Sequence, residues 1–168
     1  MDILTHRGLT ASLTNGLFVT GTTSTLTTTI TIVPVLDGKF TTTLAAITNQ
    51  AAPTLDATTG LVFPAIPGGA SVANTPGSGA VAVYGLIAGV VAVAQGPIEK
   101  LDMLGSFINA PQFPAVPSTM VPFAYQVLKA GATASATAIV LGTASWAATG
   151  YTNVIQNVFQ LPSRPQIS

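Results

Sequence analysis

The 168-residue sequence contains no cysteine, a single histidine and a single tryptophan. Charged residues make up only 6% of the chain and aromatics 7%. An average soluble domain carries about 25% Asp, Glu, Lys and Arg. Each scarcity excludes a class of chemistry. Without cysteine there is no disulfide scaffold and no thiolate metal site. Five Lys and Arg residues cannot build the basic patch that neutralises phosphates, so no nucleic-acid partner is expected. Disorder needs low hydrophobicity with high net charge. Here hydrophobic residues reach 48% and the net charge is zero. Zero net charge on a surface with few ions favours self-association, which points to a protein that works inside an assembly.

Nothing at the N-terminus, Met1 to Arg7, reads as a basic region followed by a long apolar run, so no secretory signal is expected. The longest apolar run, Ala80–Ala94, is shorter than the ~20 residues that span a bilayer. It holds Gly85 and Gly89 and reads as two strands and a turn, so no membrane partner is expected.

What the chain has in abundance is Thr and Ala, about 25 of each, with 16 Gly and 12 Pro. Thr22–Val35 is rich in β-branched residues, which suit a pleated strand, and Thr29–Val33 alternates with period two. Asp37-Gly38 follows, a two-residue turn signal because both residues tolerate positive φ. Lys39–Ile47 is then the return strand. The turn pairs Val35 with Phe40, Val33 with Thr42 and Thr31 with Leu44. Both faces of this hairpin carry apolar residues, whereas a surface hairpin has one polar face. Either a second layer of the same chain or another subunit covers the outer face, or Thr and Ala simply fill an exposed one.

Asn49–Gly79 reads as a long loop with an extended piece at Gly60–Phe63, and loops of this length are usually functional or interfacial. Ala80–Ile87 and Val90–Gln95 form a second hairpin turning at Ala88-Gly89. Glu99–Leu104 reads as one helical turn. Pro111, Pro114, Pro117 and Pro122 force an extended path, anchored by Phe113, Val116, Val121 and Phe123. Further strands are expected at Phe123–Leu128, Ala132–Leu141 and Val154–Leu161. Strands at this spacing indicate an all-β protein, an antiparallel β-sandwich or barrel with Pro-rich extended arms and at most short helices. The expected organisation is an N-terminal arm at 1–20, one domain at 21–165 with its loop at 49–79, and a tail at 166–168.

The supply of catalytic groups is small. A histidine-based triad has only His6 to draw on, beside Arg7, and a nucleophile elbow, a P-loop and a dinucleotide fingerprint are all missing. Glu99 and Asp102 are close but separated by Lys100, in a segment that reads as a solvated turn. Asp2 and His6 are too few for a metal. The expectation is therefore no enzyme, no cofactor, no metal and no small-molecule substrate. Trp146 and Tyr151 are candidates for an exposed aromatic platform, set against a role capping the core edge. Charges sit in turns and at the ends: Asp2, Arg7, Asp37, Lys39, Glu99, Lys100, Asp102, Lys129 and Arg164.

Four passages occur in a recognisable order: Val35-Leu36-Asp37-Gly38-Lys39-Phe40-Thr41, then Gly89–Pro97, then Pro111–Pro117 with Val121–Val127, and finally Leu161-Pro162-Ser163-Arg164-Pro165. Over residues 22–165 this resembles small virion structural proteins of tailed bacteriophages that decorate or cement the capsid. The resemblance implies a β-rich oligomer, a trimer favoured, that binds the major capsid protein and its own copies. It implies a place on the capsid surface after synthesis in the bacterial cytoplasm. Expected partner contacts are Asp2, Ile3, Leu4, His6, Arg7, Phe63, Trp146, Tyr151 and Arg164. The alternative is a host-surface-binding module of a head fibre, tail fibre or adhesin.

Overall fold

A computed structural model describes residues 9–14, 18–20, 24–69, 75–131, 138–146 and 151–166. These residues form an all-β fold without a helix. The strands are β1 (Ala11–Ser12), β2 (Phe18–Thr20), β3 (Thr25–Thr28), β4 (Pro34–Leu36), β5 (Lys39–Phe40), β6 (Ile47–Ala51), β7 (Ser78–Ile87), β8 (Val90–Gln95), β9 (Glu99–Lys100), β10 (Val121–Ala130) and β11 (Tyr151–Asn157). They make three antiparallel sheets, β1-β4-β5, β2-β3-β6 and the central β11-β10-β7-β8, with β9 added to β7.

The central sheet is built on two ten-residue strands, β7 and β10. Both are apolar on both faces, which a strand tolerates only when both faces are covered. On one face Ala80, Ala82, Tyr84 and Leu86 join Val91, Val93, Ala124 and Leu128, and Phe18 and Leu26 of the β2-β3-β6 sheet pack against them. On the other face Val81, Val83, Tyr125 and Val127 meet the Pro-rich segment through Phe113 and Val116, and the C-terminal segment through Val158 and Leu161. The Phe113 ring stands edge-on to Tyr125, with centroids 5.1 Å apart. The doubly covered hairpin is thus β7-β8 rather than the first one.

Turn chemistry is realised where it was expected. Asp37 and Gly38 have φ of 49° and 76°, and Ala88 and Gly89 have 50° and 81°, the two positive angles of a type I′ turn. Val35 pairs with Phe40 and Leu36 with Lys39. Beyond Pro34 the expected register fails: Leu44 faces Ile32, not Thr31. The Thr41 N–H still donates to the Pro34 carbonyl at 3.1 Å, but proline has no N–H to return, so the ladder ends there and restarts one residue out of step. A second irregularity falls between Pro122 and Ala124 in β10, where Phe123 turns into the core beside Phe18, centroids 5.8 Å apart.

Three expectations need correction. Glu99–Leu104 is not a helical turn: Lys100 pairs with Ser78 and Glu99 with Gly79 as strand β9. Gly79 lies under the Phe107 ring: a Cβ there would be 2.7 Å from the ring and 2.6 Å from the Leu128 carbonyl oxygen. The last strand begins at Tyr151 and ends at Asn157, earlier than Val154–Leu161, because it pairs along β10 from Ala130 back to Ala124. The return strand expected at Lys39–Ile47 extends only over Lys39–Phe40, and Ile47–Ala51 pairs with β3 instead. Within residues 9–20, Ala11 pairs with Val35 and Phe18 is a core residue. Much of the strand expected at Ala132–Leu141 lies outside the described residues; Ile139 forms a bridge to Ile66.

Candidate interaction surfaces

Among the described residues, Asp56, Glu99, Asp102 and Lys129 are engaged locally. Asp56, the remaining acid of the sequence, is buried at the start of a turn. Its Oδ1 accepts from the Thr58 and Thr59 N–H groups at 2.8 and 3.0 Å, and its Oδ2 from the Gln95 N–H at 2.7 Å. Asp56 therefore ties the 55–62 loop to the edge of β8, reinforced by the Ala57 N–H donating to the Val93 carbonyl. Asp102 Oδ1 accepts from the Leu104 and Ser106 N–H groups, both at 2.8 Å. Glu99 Oε2 accepts from Asn109 Nδ2 at 3.4 Å. The Lys129 ammonium sits 5.3 Å from the Phe107 ring centroid, within cation–π range. Among the described residues no group of three or more His, Asp or Glu side chains is placed to hold a metal ion.

Among the described residues expected to touch partners, two lie in the core. Phe63 and Trp146 both belong to the main core cluster. The Trp146 ring is only 8% exposed, and its Nε1–H donates to the Thr25 carbonyl at 3.0 Å. Of the two uses open to Trp146, the ring takes the core-edge position. Tyr151 opens β11 opposite Ala130. Arg164 is exposed in the C-terminal segment. Asp2, Ile3, Leu4, His6 and Arg7 lie outside the described residues.

The exposed apolar side chains are different ones. Leu104 is 91% exposed, with Met103 and Ile108 beside it at 47% and 60%. Their turn is tightly held. Asp102 accepts two amides, the Asp102 N–H donates to the Ser106 carbonyl at 2.7 Å, Gly105 has φ of 79°, and Leu101 bridges to Phe107. The turn is thus a rigid mount for Leu104. On the β1-β4-β5 sheet, Leu9, Leu13, Val35, Gly38 and Phe40 line an apolar groove of about 280 Å³. Phe40 is 74% exposed there. Burying such a ring is worth about 1.5–3 kcal/mol, most of which the isolated chain forgoes. A third patch, Leu55, Leu61 and Val62, lies on the loop pinned by Asp56.

The sequence offered partial signals for these. Asp102-Met103-Leu104-Gly105 has the Asx-turn and glycine pattern, which competes with a helical reading. Nothing in the sequence marks Phe40 as exposed, since its strand alternates like a buried one.

No protein-family profile, curated protein or solved structure matches this chain. No helix among the described residues is long and apolar enough to cross a membrane.

Proposed function

We propose that this chain is a structural virion protein that decorates and stabilises a tailed-phage capsid by binding the major capsid protein. The observation that carries this reading is the surface. Large apolar side chains, above all Leu104 and Phe40, are presented to solvent on rigid strands and turns, while charged residues make up only 6% of the chain. Such a surface fits permanent coverage by neighbours, as in obligate interfaces. Stabilisation by a decorating protein is mass action: many copies bind the mature shell and not its broken form. The ordered motif resemblance over residues 22–165 supports the same reading. The host-binding alternative has less support, because the Trp146 ring is used in the core.

The test is co-sedimentation of the purified chain with undecorated shells of the phage that encodes it. Saturable binding and a raised shell melting temperature are expected. A chain lacking residues 1–8 keeps β1 and isolates the contribution of the terminal arm, which is expected to weaken binding. No binding by the full chain, together with reduced host adsorption in a virion that lacks it, would replace this reading with the host-binding one.

A further inference from the structure

We infer that the cavity between the end of β11 and the C-terminal segment is a binding site for a neutral saccharide. The inference goes beyond capsid decoration and does not rest on it.

The sequence gathers amides here. Gln156-Asn157-Val158-Phe159-Gln160 sets three amide side chains around one aromatic ring, and Gln166 adds a fourth. β11 ends at Asn157, and Pro162 and Pro165 keep the chain beyond it extended. Val158 and Leu161 pack against the core cluster that holds Tyr125. The segment then returns to the sheet, where the Gln166 N–H donates to the Tyr125 hydroxyl at 2.9 Å. The path borders a cavity of about 340 Å³ whose lining includes Tyr125, Gln156, Asn157, Phe159, Gln160 and Gln166, within the size range of small-molecule sites. Its polar groups are held in place. Gln156 stands opposite Tyr125 in the β10-β11 pairing, so both side chains share one face of the sheet. Asn157 Oδ1 accepts from the Phe18 N–H at 2.7 Å, which leaves its Nδ2 to donate elsewhere. Gln160 Nε2 donates to the Thr10 carbonyl at 3.4 Å, which leaves its Oε1 to accept. Tyr125 is buried, with its ring edge-on to Phe113. Its hydroxyl accepts from Gln166, and its own proton has no acceptor among the described residues. The Phe159 carbonyl accepts from the Ser12 N–H at 2.9 Å, fixing the backbone under a ring that is 53% exposed.

The lining selects the ligand class. None of its side chains is charged, and Arg164, the ionisable residue of the segment, is not among them. An ionic ligand would lose hydration without gaining a counter-charge. A purely apolar ligand would strip water from the amides and the phenol and give nothing back. An extended peptide binds by adding to a free strand edge. Here the Phe159 carbonyl is taken by Ser12 of β1 and the Asn157 side chain by Phe18 of β2, so recognition falls to side chains. Amides and a phenol both donate and accept, and the hydroxyls of a sugar do the same. The C–H face of a hexopyranose ring is the complement of the exposed Phe159 ring, whose π face carries partial negative charge. Because the cavity is preformed by hydrogen bonds, little ordering entropy is lost on docking.

The experiment presents the full chain to an array of neutral hexose and N-acetylhexosamine oligosaccharides beside sialylated and sulfated ones. Titration calorimetry then measures the best binder against the wild type, Phe159→Ala, Gln156→Ala and Leu104→Ala. Capture of neutral glycans is expected, with an affinity that salt leaves unchanged, since no charge pair is there to screen. Phe159→Ala is expected to weaken binding about tenfold, the low end for burying such a ring. Gln156→Ala is expected to weaken it by about two- to tenfold, as for one hydrogen bond. Leu104→Ala, on a different turn, is expected to leave it unchanged. Circular dichroism checks each fold, and Phe159→Leu replaces Phe159→Ala if that variant unfolds. Three results overturn the inference: an array with no neutral glycan captured, a preference for sialylated or sulfated glycans that fades with salt, or an affinity indifferent to Phe159 and Gln156. None of these readouts involves capsids, so they are distinguishable from a failure of capsid binding.

Discussion

The Tyr84 hydroxyl donates a 2.7 Å hydrogen bond to Gln126 Oε1, joining two buried side chains across β7 and β10. Gln126 Nε2 has no partner among the described residues. Removing the hydroxyl leaves the Gln126 oxygen unpaired as well, so Tyr84→Phe is expected to cost about 1–3 kcal/mol. The double variant Tyr84→Phe/Gln126→Leu removes both orphaned groups and is expected to recover much of that loss. Urea titration of the wild type, Tyr84→Phe, Gln126→Leu and the double variant measures the coupling.

The same phenol defines an alkaline limit. Burial pushes the Tyr84 pKa far above its ordinary value. In the unfolded chain it ionises near pH 10. Above about that pH the unfolded state loses a proton that the folded state keeps, so stability falls as pH rises. Below it the term is constant. The Tyr84→Phe chain is expected to have a shallower loss of stability above about pH 10, read from urea midpoints across that range. An unchanged slope would exclude Tyr84 as its source.

Asp56 is expected to be the most sensitive acid in the chain. Asp56→Ala leaves the N–H groups of Thr58, Thr59 and Gln95 without their acceptor. A loss of about 2–4 kcal/mol is expected from several unmade bonds to a charged acceptor. Asp56→Asn keeps one acceptor oxygen and should lose less. Hydrogen exchange at the Gln95 amide locates the effect: it accelerates in both variants if Asp56 is the pin, and is unchanged if it is not.

Ala88 occupies a left-handed conformation, with φ of 50°, that costs an ordinary L residue about 1–2 kcal/mol. Asn tolerates this region and suits the first position of a type I′ turn. Ala88→Asn is expected to stabilise the chain by about 0.5–1 kcal/mol, by analogy with other turn optimisations. A lowered melting temperature would contradict the turn assignment.

Trp146 is the only tryptophan, and its ring is buried with its N–H bonded to Thr25. Its emission is expected to be blue-shifted and poorly quenched by iodide in the native state, and to red-shift on unfolding. Trp146→Phe loses the hydrogen bond and part of the packing. It is expected to destabilise by about 1–3 kcal/mol while leaving the exposed Leu104 and Phe40 surfaces in place.

Much of the fold was written locally. The Asp37-Gly38 and Ala88-Gly89 turns, the strands β7 and β8 and most of β10 follow from which residues tolerate positive φ or a pleated backbone, whereas the strands expected on either side of Asp37-Gly38 shrink to Pro34–Leu36 and Lys39–Phe40. Scarcity of charge, absence of cysteine and the all-β class were likewise fixed by composition and pattern. Tertiary structure decided the rest, because burial depends on partners distant in sequence. It covered both faces of β7-β8 while leaving Phe40 of the first hairpin in solvent. It turned Glu99–Lys100 into a strand by giving it Ser78 and Gly79 to pair with, and slipped Leu44 opposite Ile32 where Pro34 ends the ladder. It drew Trp146 inward to Thr25 and raised Leu104 outward on a turn braced by Asp102. The same apolar alternation describes a buried strand and an exposed one, and only the packing of the remaining chain distinguishes them.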